Sequence, residues 1–206
     1  MGHEARAGRT RKRGGKAELS RSGQPAAPVP PAPSPGDFRS GIGTDIHRLV
    51  AGRPLVIGGV HIPFDKGPEG HSDGDVLAHA ICDALLGAAH LGDIGRHFPN
   101  HDPKWKDAAS LLFLERVREL LGAAGYRIVN VDASVHLERP KLAPHIPEME
   151  KQVATALGLE PGQVSVKAKT GEGMDAVGRG EAIQACAVAL LASQPAAVDT
   201  LAGRSL

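Results

Sequence analysis

A chain of 206 residues with a formal net charge of +1 can bury one core but is too short for two full domains and a linker. Four Phe, one Tyr and one Trp provide no aromatic platform for stacking nucleic-acid bases, and no run approaches the roughly 18 apolar residues of a bilayer span. The two cysteines, Cys82 and Cys186, are too few for a disulfide framework or a thiolate metal site, and each sits in an apolar run that suits a buried free thiol.

Residues 1–40 carry eight Lys or Arg against three acids, are rich in Gly, Pro and Ser, and lack apolar periodicity of either kind, so a disordered basic tail is expected. The tail has no apolar centre of a secretory signal, and a cytoplasmic location is expected. A domain is expected over 41–194, with a short tail over 195–206; residues 41–206 carry about −4, an ordinary mildly acidic body.

"SGIGTDIHRLV" and "RPLVIGGVHIPF" read as two short strands joined by a turn around Gly52, the second closed by Pro63, and "DKGPEG" reads as a loop. Ser72 with Asp75 three residues on makes a capping-box-like start. Val76, Leu77, Ala80, Ile81, Ala84, Leu85 and Ala88 then predict a helix over 73–90. A long Gly-, Pro- and Asp-rich loop follows to Trp105. Asp107 is the expected cap of a second helix, over 108–121, stopped by Gly122 and Gly125. Strict alternation predicts strands over 126–138 and 163–170, with a helix over 147–159 between them. "EAIQACAVALL" is open to helix, from its alanines, or to a buried strand, from its unbroken apolar character. The interleaving indicates an α/β (α+β) domain with a small mixed sheet.

In an extended strand Asp45 and His47 project from one face, and His79 lies early on the predicted helix. One carboxylate and two imidazoles are what a catalytic zinc ion takes while keeping a fourth position open. His71 and Ser72 sit at the helix N-terminus, where free N–H groups favour phosphate, although simple capping by Ser72 explains that residue equally well. "VKAKTGEGMDAVGRGEA" ends a strand in a Gly-rich turn with Lys169, Thr170, Glu172 and Arg179. It is either a turn with solvated charges or a set of phosphate donors with a carboxylate for Mg²⁺.

Together "GIGTDIHR", "LVIGGVHIP", "HSDGDVLAHAICDALLGAAHLGDIGRHFP", "RPKLAPHIPEM" and "VKAKTGEGM…GRGE" closely resemble the 2-C-methyl-D-erythritol 2,4-cyclodiphosphate synthase family, over about residues 40–193. The resemblance implies a homotrimer of small mixed sheets around a threefold axis, with helices on one face of each sheet and active sites between subunits. It makes "EAIQACAVALL" a strand. It implies zinc on Asp45, His47 and His79, and Mg²⁺ or Mn²⁺ on Glu172 bridging the diphosphate of a cytidylyl substrate. His71 and Thr170 are implied as transition-state contacts and Ser72 as a phosphate contact. Asp93 and Gly95 would hold the ribose, and Leu137, Lys141, Leu142 and Ala143 the cytosine. Phe98 to Asp102 would form a mobile loop, and Lys169 and Arg179 would lie beside the phosphates. The chain departs from the family pattern at Lys169 and Gly171, where hydroxyl residues are usual, and at Ala176, where an aromatic borders the central channel.

Two other readings use the same residues. A metal-dependent phosphohydrolase would need Asp75, Asp83 or His71 as general base. A nucleotide- or RNA-binding module would rely on the basic tail, with the metal purely structural; the scarcity of aromatics and the acidic body weigh against it.

Overall fold

The computed structural model describes Ser34 and residues 36–70, 72–99, 102–105 and 108–194. Of the expected tails over 1–40 and 195–206, residues 1–33, Pro35 and 195–206 lie outside the described residues, as do His71, Asn100, His101 and the expected cap Asp107, whereas Phe38–Ser40 belong to the first strand.

The first strand, β1 (Phe38–Ala51), is followed by β2 (Leu55–Ile57), β3 (Val60–Ile62) and β4 (Lys66–Pro68). Helices α1 (Val76–Ala88), α2 (Ile94–His97) and α3 (Leu111–Ala123) come next, then β5 (Tyr126–His136), α4 (Ile146–Leu157), β6 (Val164–Lys169) and β7 (Ala182–Ser193). Five strands form one mixed sheet in the order β4-β1-β7-β5-β6, parallel only between β5 and β6. Helix α1 packs on β1, β7 and β5, α3 on α1 and β5, and α4 on α3 and β6.

Alternation along β1 sends Gly43 and Leu49 to the buried face and leaves Phe38, Ile42 and Ile46 exposed on the other. In β7, Ala185, Ala187, Ala189 and Leu191 are buried. Flanked on both sides by strands, "AIQACAVALLAS" is a strand despite its alanines, because its backbone is satisfied by two ladders and its small side chains admit the helix above. That helix sits unusually low. A Cβ on Gly43 would collide with the Ala80 carbonyl and come 2.6 Å from the Ala84 nitrogen, and one on Gly41 would meet the Ala84 carbonyl and Ala88.

Several expectations are corrected. The two short strands are one 14-residue strand followed by a hairpin, because Gly58 and Gly59, at φ 58° and 74°, turn the chain between β2 and β3. "DKGPEG" contains β4, which pairs with the end of β1. Helix α1 starts at Val76 and is capped by Asp75, whose side chain accepts from Leu77 N and Ala78 N at 3.1 Å; Ser72 is not the cap. Cys82 is fully buried, whereas Cys186 is only half-buried because its even position in β7 turns it to the open sheet face.

Gly43→Ala is expected to lower unfolding free energy by about 1–3 kcal/mol through overpacking, read from urea denaturation. Gly122→Ala, where the added methyl meets nothing and φ is not positive, provides the control for a methyl added without overpacking.

Candidate metal centre and active-site cleft

The small-residue floor continues into chemistry along the same face of β1. Gly41 and Gly43 let α1 down, and the next two residues on that face are Asp45 and His47. In the first turn of α1, His79 is thereby brought within reach of β1: its Nδ1 lies 2.9 Å from Asp45 Oδ2, and His47 Nε2 lies 3.0 Å from the same oxygen. The three ligand atoms fall within 4.8 Å of one another, in a half-buried setting.

His47 Nδ1 faces the Glu69 carbonyl at 2.7 Å. A carbonyl only accepts, so Nδ1 carries the proton and Nε2 of the neutral ring presents a lone pair toward Asp45. That Nε2 is buried and makes no hydrogen bond of good geometry. An acceptor carboxylate oxygen and a buried lone pair at 3.0 Å require a positive charge between them, a proton or a cation. The donor set, two imidazoles and one carboxylate converging on one point, fits a divalent metal ion.

Without a metal, protons take that role. Burial pushes the Asp45 carboxyl up, but hydrogen bonds and charge from His47 and His79 outweigh it and hold Asp45 well below the usual carboxylate range. The hydrogen bond to Asp45 raises His47 above the ordinary imidazole value, against the opposing effect of burial.

The cluster opens into a cleft of about 260 Å³ lined also by Gly70, Ser72, Ile94, Gly95, Phe98, Trp105 and Phe113. One wall is polar; the other is an aromatic box, with Phe98 stacked on Phe113 at 4.5 Å and Trp105 edge-on to both, at 5.0 and 5.4 Å. Asp93 caps α2 through Arg96 N at 3.0 Å, which places Gly95 at the cleft rim. Asp102 accepts from Lys104 N at 3.0 Å and does not line the cleft. Asp83 accepts from Ile94 N at 2.7 Å, tying α2 to α1.

The second group of expected residues is held elsewhere. Leu137 N bonds to Lys169 O at 2.9 Å and Gly171 N to Glu138 Oε2 at 3.1 Å, so the loops after β5 and β6 form one unit. In it, Thr170 Oγ1 donates to Glu172 Oε1 at 2.9 Å, and Glu172 adopts a φ of 50°. Gly171 is fixed by space, since a Cβ there would strike the backbone of Gly178. Leu137 and Leu142 bury their side chains in the core, so any polar contact from them is made by backbone; Lys141 and Ala143 flank Leu142 on the surface. Arg179 pairs with Glu181 at 3.0 Å. Lys169, His136, Gln184 and Ile46 lie in one row across the sheet, which puts β6 three strand spacings, about 14 Å, from β1. None of these residues lines the cleft around Asp45.

Sequence reasoning missed Asp73, Ser110, Trp105 and Phe113. Ser110 falls inside the helix expected over 108–121, and nothing in linear spacing joins it to residues 73 and 79.

Metal and protons compete for His47, so cation affinity should weaken as pH falls through its raised range. The sign for the metal-free fold is opposite: a raised pKa contributes stability that is full below the unfolded value and lost as pH rises through the folded one. Chelator competition and thermal melts between about pH 6 and about pH 8 measure both; an affinity independent of pH would contradict the ligand assignment.

Comparison with known proteins places these features in a family. The 2-C-methyl-D-erythritol 2,4-cyclodiphosphate synthase of Nitrosospira multiformis is 56% identical over 156 residues, covering 76% of this chain and 88% of its own. That of Desulfatibacillum aliphaticivorans is 58% identical, covering 75% and 99%. Among solved structures, the bifunctional IspDF of Campylobacter jejuni superposes with a TM-score of 0.74 at 37% identity, over 77% of this chain and 43% of that one. A CDP complex of IspF from Plasmodium falciparum gives 0.69 at 34%, over 79% and 100%. The YgbB family model matches residues 38–192, the stretch that runs from the start of β1 to the last residue but one of β7 and carries the whole cleft, and the chain belongs to the YgbB family.

Proposed function

We propose that this chain converts 4-diphosphocytidyl-2-C-methyl-D-erythritol 2-phosphate into 2-C-methyl-D-erythritol 2,4-cyclodiphosphate and CMP, a lyase step of non-mevalonate isoprenoid biosynthesis. The observation that carries this reading is the Asp45–His47–His79 cluster opening on one cleft, in a chain 56–58% identical to synthases of that name.

In the reaction an oxygen of the substrate's 2-phosphate attacks the β-phosphorus, the bond from that phosphorus to the bridging oxygen breaks, and CMP leaves with that oxygen. Both reacting groups belong to one molecule, so no protein nucleophile is needed and positioning supplies much of the rate. Zinc held by Asp45, His47 and His79, and Mg²⁺ or Mn²⁺ held by Glu172, would polarise phosphate oxygens and neutralise charge. Ser72 and His71 orient the 2-phosphate, and the aromatic box of Phe98, Trp105 and Phe113 excludes water from the methylerythritol. Asp93 and Gly95 take the ribose, the segment from Leu137 to Ala143 takes the cytosine, and Thr170, Lys169 and Arg179 face the phosphates.

We place the working site between subunits of a homotrimer. The end of β6, which leads into Thr170 and Glu172, is about 14 Å from β1 within one chain, and the open sheet face exposes Phe38 (65%), Ile42 (68%), Ile46 (58%) and Val188 (46%). No helix of the described residues is long and apolar enough to cross a membrane, and a cytoplasmic enzyme acting through its domain at 41–194 is our reading. The hydrolase alternative loses one base: both oxygens of fully buried Asp75 hold backbone N–H groups, of Leu77, Ala78 and Gly59.

Phosphorus NMR of the protein with this substrate and Mg²⁺ should show CMP and a cyclic diphosphate only in the zinc-loaded sample. His79→Ala should lose zinc and reduce turnover by more than about a hundredfold. CMP with a linear product would favour the hydrolase. Ile42→Asp should yield monomers in sedimentation and lose activity with the assembly. Removal of residues 1–33 should leave turnover unchanged, whereas a nucleic-acid-binding module would lose its function.

A further inference from the structure

The outer edge of His79 meets Ser72 and, beside it, Ser110 and Asp73, two residues that the reaction as described does not use. Its Nε2 lies 2.9 Å from Ser110 Oγ and 3.2 Å from Ser72 Oγ. Ser110 is fully buried and stands at the start of α3, yet its side chain makes no capping bond to that helix. Its hydroxyl and its backbone N–H both go to Asp73, the N–H at 2.9 Å from Oδ2 and the hydroxyl to Oδ1. Asp73 is itself held by Asp75 N at 3.2 Å.

We infer that Asp73 and Ser110 are positioning residues of the metal centre, holding His79 in the Nε2–H tautomer so that Nδ1 is left to bind the cation. A carboxylate at neutral pH only accepts, so the one hydrogen of the Ser110 hydroxyl is committed to Asp73. Ser110 Oγ can then meet His79 Nε2 only as an acceptor, and Nε2 must carry the ring proton. Ser72 Oγ, farther away and already accepting from Gly74 N at 3.2 Å, takes the weaker share of the same donor. With the proton on the outer edge, the lone pair of Nδ1 points at Asp45 Oδ2, as that of His47 Nε2 does under the control of the Glu69 carbonyl. Both imidazoles are thus fixed by acceptors on the sides remote from the cation. A histidine ligand whose distal N–H is held this way binds metal in one tautomer and one ring orientation. Phe113, one turn along α3 from Ser110, stacks on the His79 ring at 6.1 Å and fixes its plane. The arrangement makes α3 a support for a ligand carried by α1.

The inference rests on the metal reading of the cleft, and the test separates the two. Long-range proton–nitrogen NMR of metal-free protein labelled in histidine, at about pH 8, should show His79 protonated on Nε2. Zn²⁺ affinity by chelator competition should then be about 10–100-fold weaker in Ser110→Ala and in Asp73→Asn than in the unaltered chain, with Nδ1–H populated in His79. A chain that fails to bind Zn²⁺ at all overturns the metal reading. A chain that binds Zn²⁺ while both variants bind it equally well, or whose His79 carries its proton on Nδ1, overturns the positioning role. If Ser110→Ala does not fold, the tautomer of the unaltered chain and the Asp73→Asn affinity still decide.

Discussion

Helix α1 and strand β1 touch backbone to backbone at Gly41 and Gly43, and the position of the Asp45, His47 and His79 cluster follows from that approach. Strand alternation carries the same face from two glycines to a carboxylate and then an imidazole, Asp45 and His47. Were α1 raised by one methyl layer, His79 would leave the shared oxygen of Asp45, where the separation is now 2.9 Å. The alanines on both partners serve the same end: Ala80, Ala84 and Ala88 on α1 meet a β7 that buries Ala185, Ala187 and Ala189. Small side chains bury little apolar area each, and the core recovers it in Leu77, Ile81, Leu85 and Leu86.

The polar segment before α1 is tolerated because nearly every oxygen in it is assigned to a backbone group. Asp75 is fully buried, and burial pushes its carboxyl up, but it caps α1 and holds the β2–β3 turn through Gly59 N at 2.8 Å. Asp73 holds the start of α3, and Ser72 holds Gly74. Residues 72–75 thereby tie together α1, the hairpin and α3. Such a joint suits a site whose side chains come from different elements.

The three longer helices and the strands over 126–138 and 163–170 were legible because each rests on a local rule, period 3.6 or period 2, and the grouping of Asp45, His47 and His79 was legible from ligand chemistry. What stayed hidden was set by tertiary space. The start of α1 depends on whether Ser72 or Asp75 faces the first N–H groups, and Asp75 wins because its other oxygen also reaches Gly59 across the fold. Ser110, expected inside a helix, stands instead at the start of α3 and faces a histidine 31 positions away. The "AIQACAVALLAS" strand contradicts its own helix propensity because two flanking ladders decide. Propensity cannot report that, and resemblance to a family could.

Asp45, His47 and His79 are proposed to hold one divalent cation. X-ray absorption at the zinc edge of the zinc-loaded protein tests this most directly. The account predicts two imidazole nitrogens at about 2.0–2.1 Å, with oxygen completing the shell and no sulfur. A sulfur neighbour near about 2.3 Å, or a shell without imidazole scattering, would contradict it.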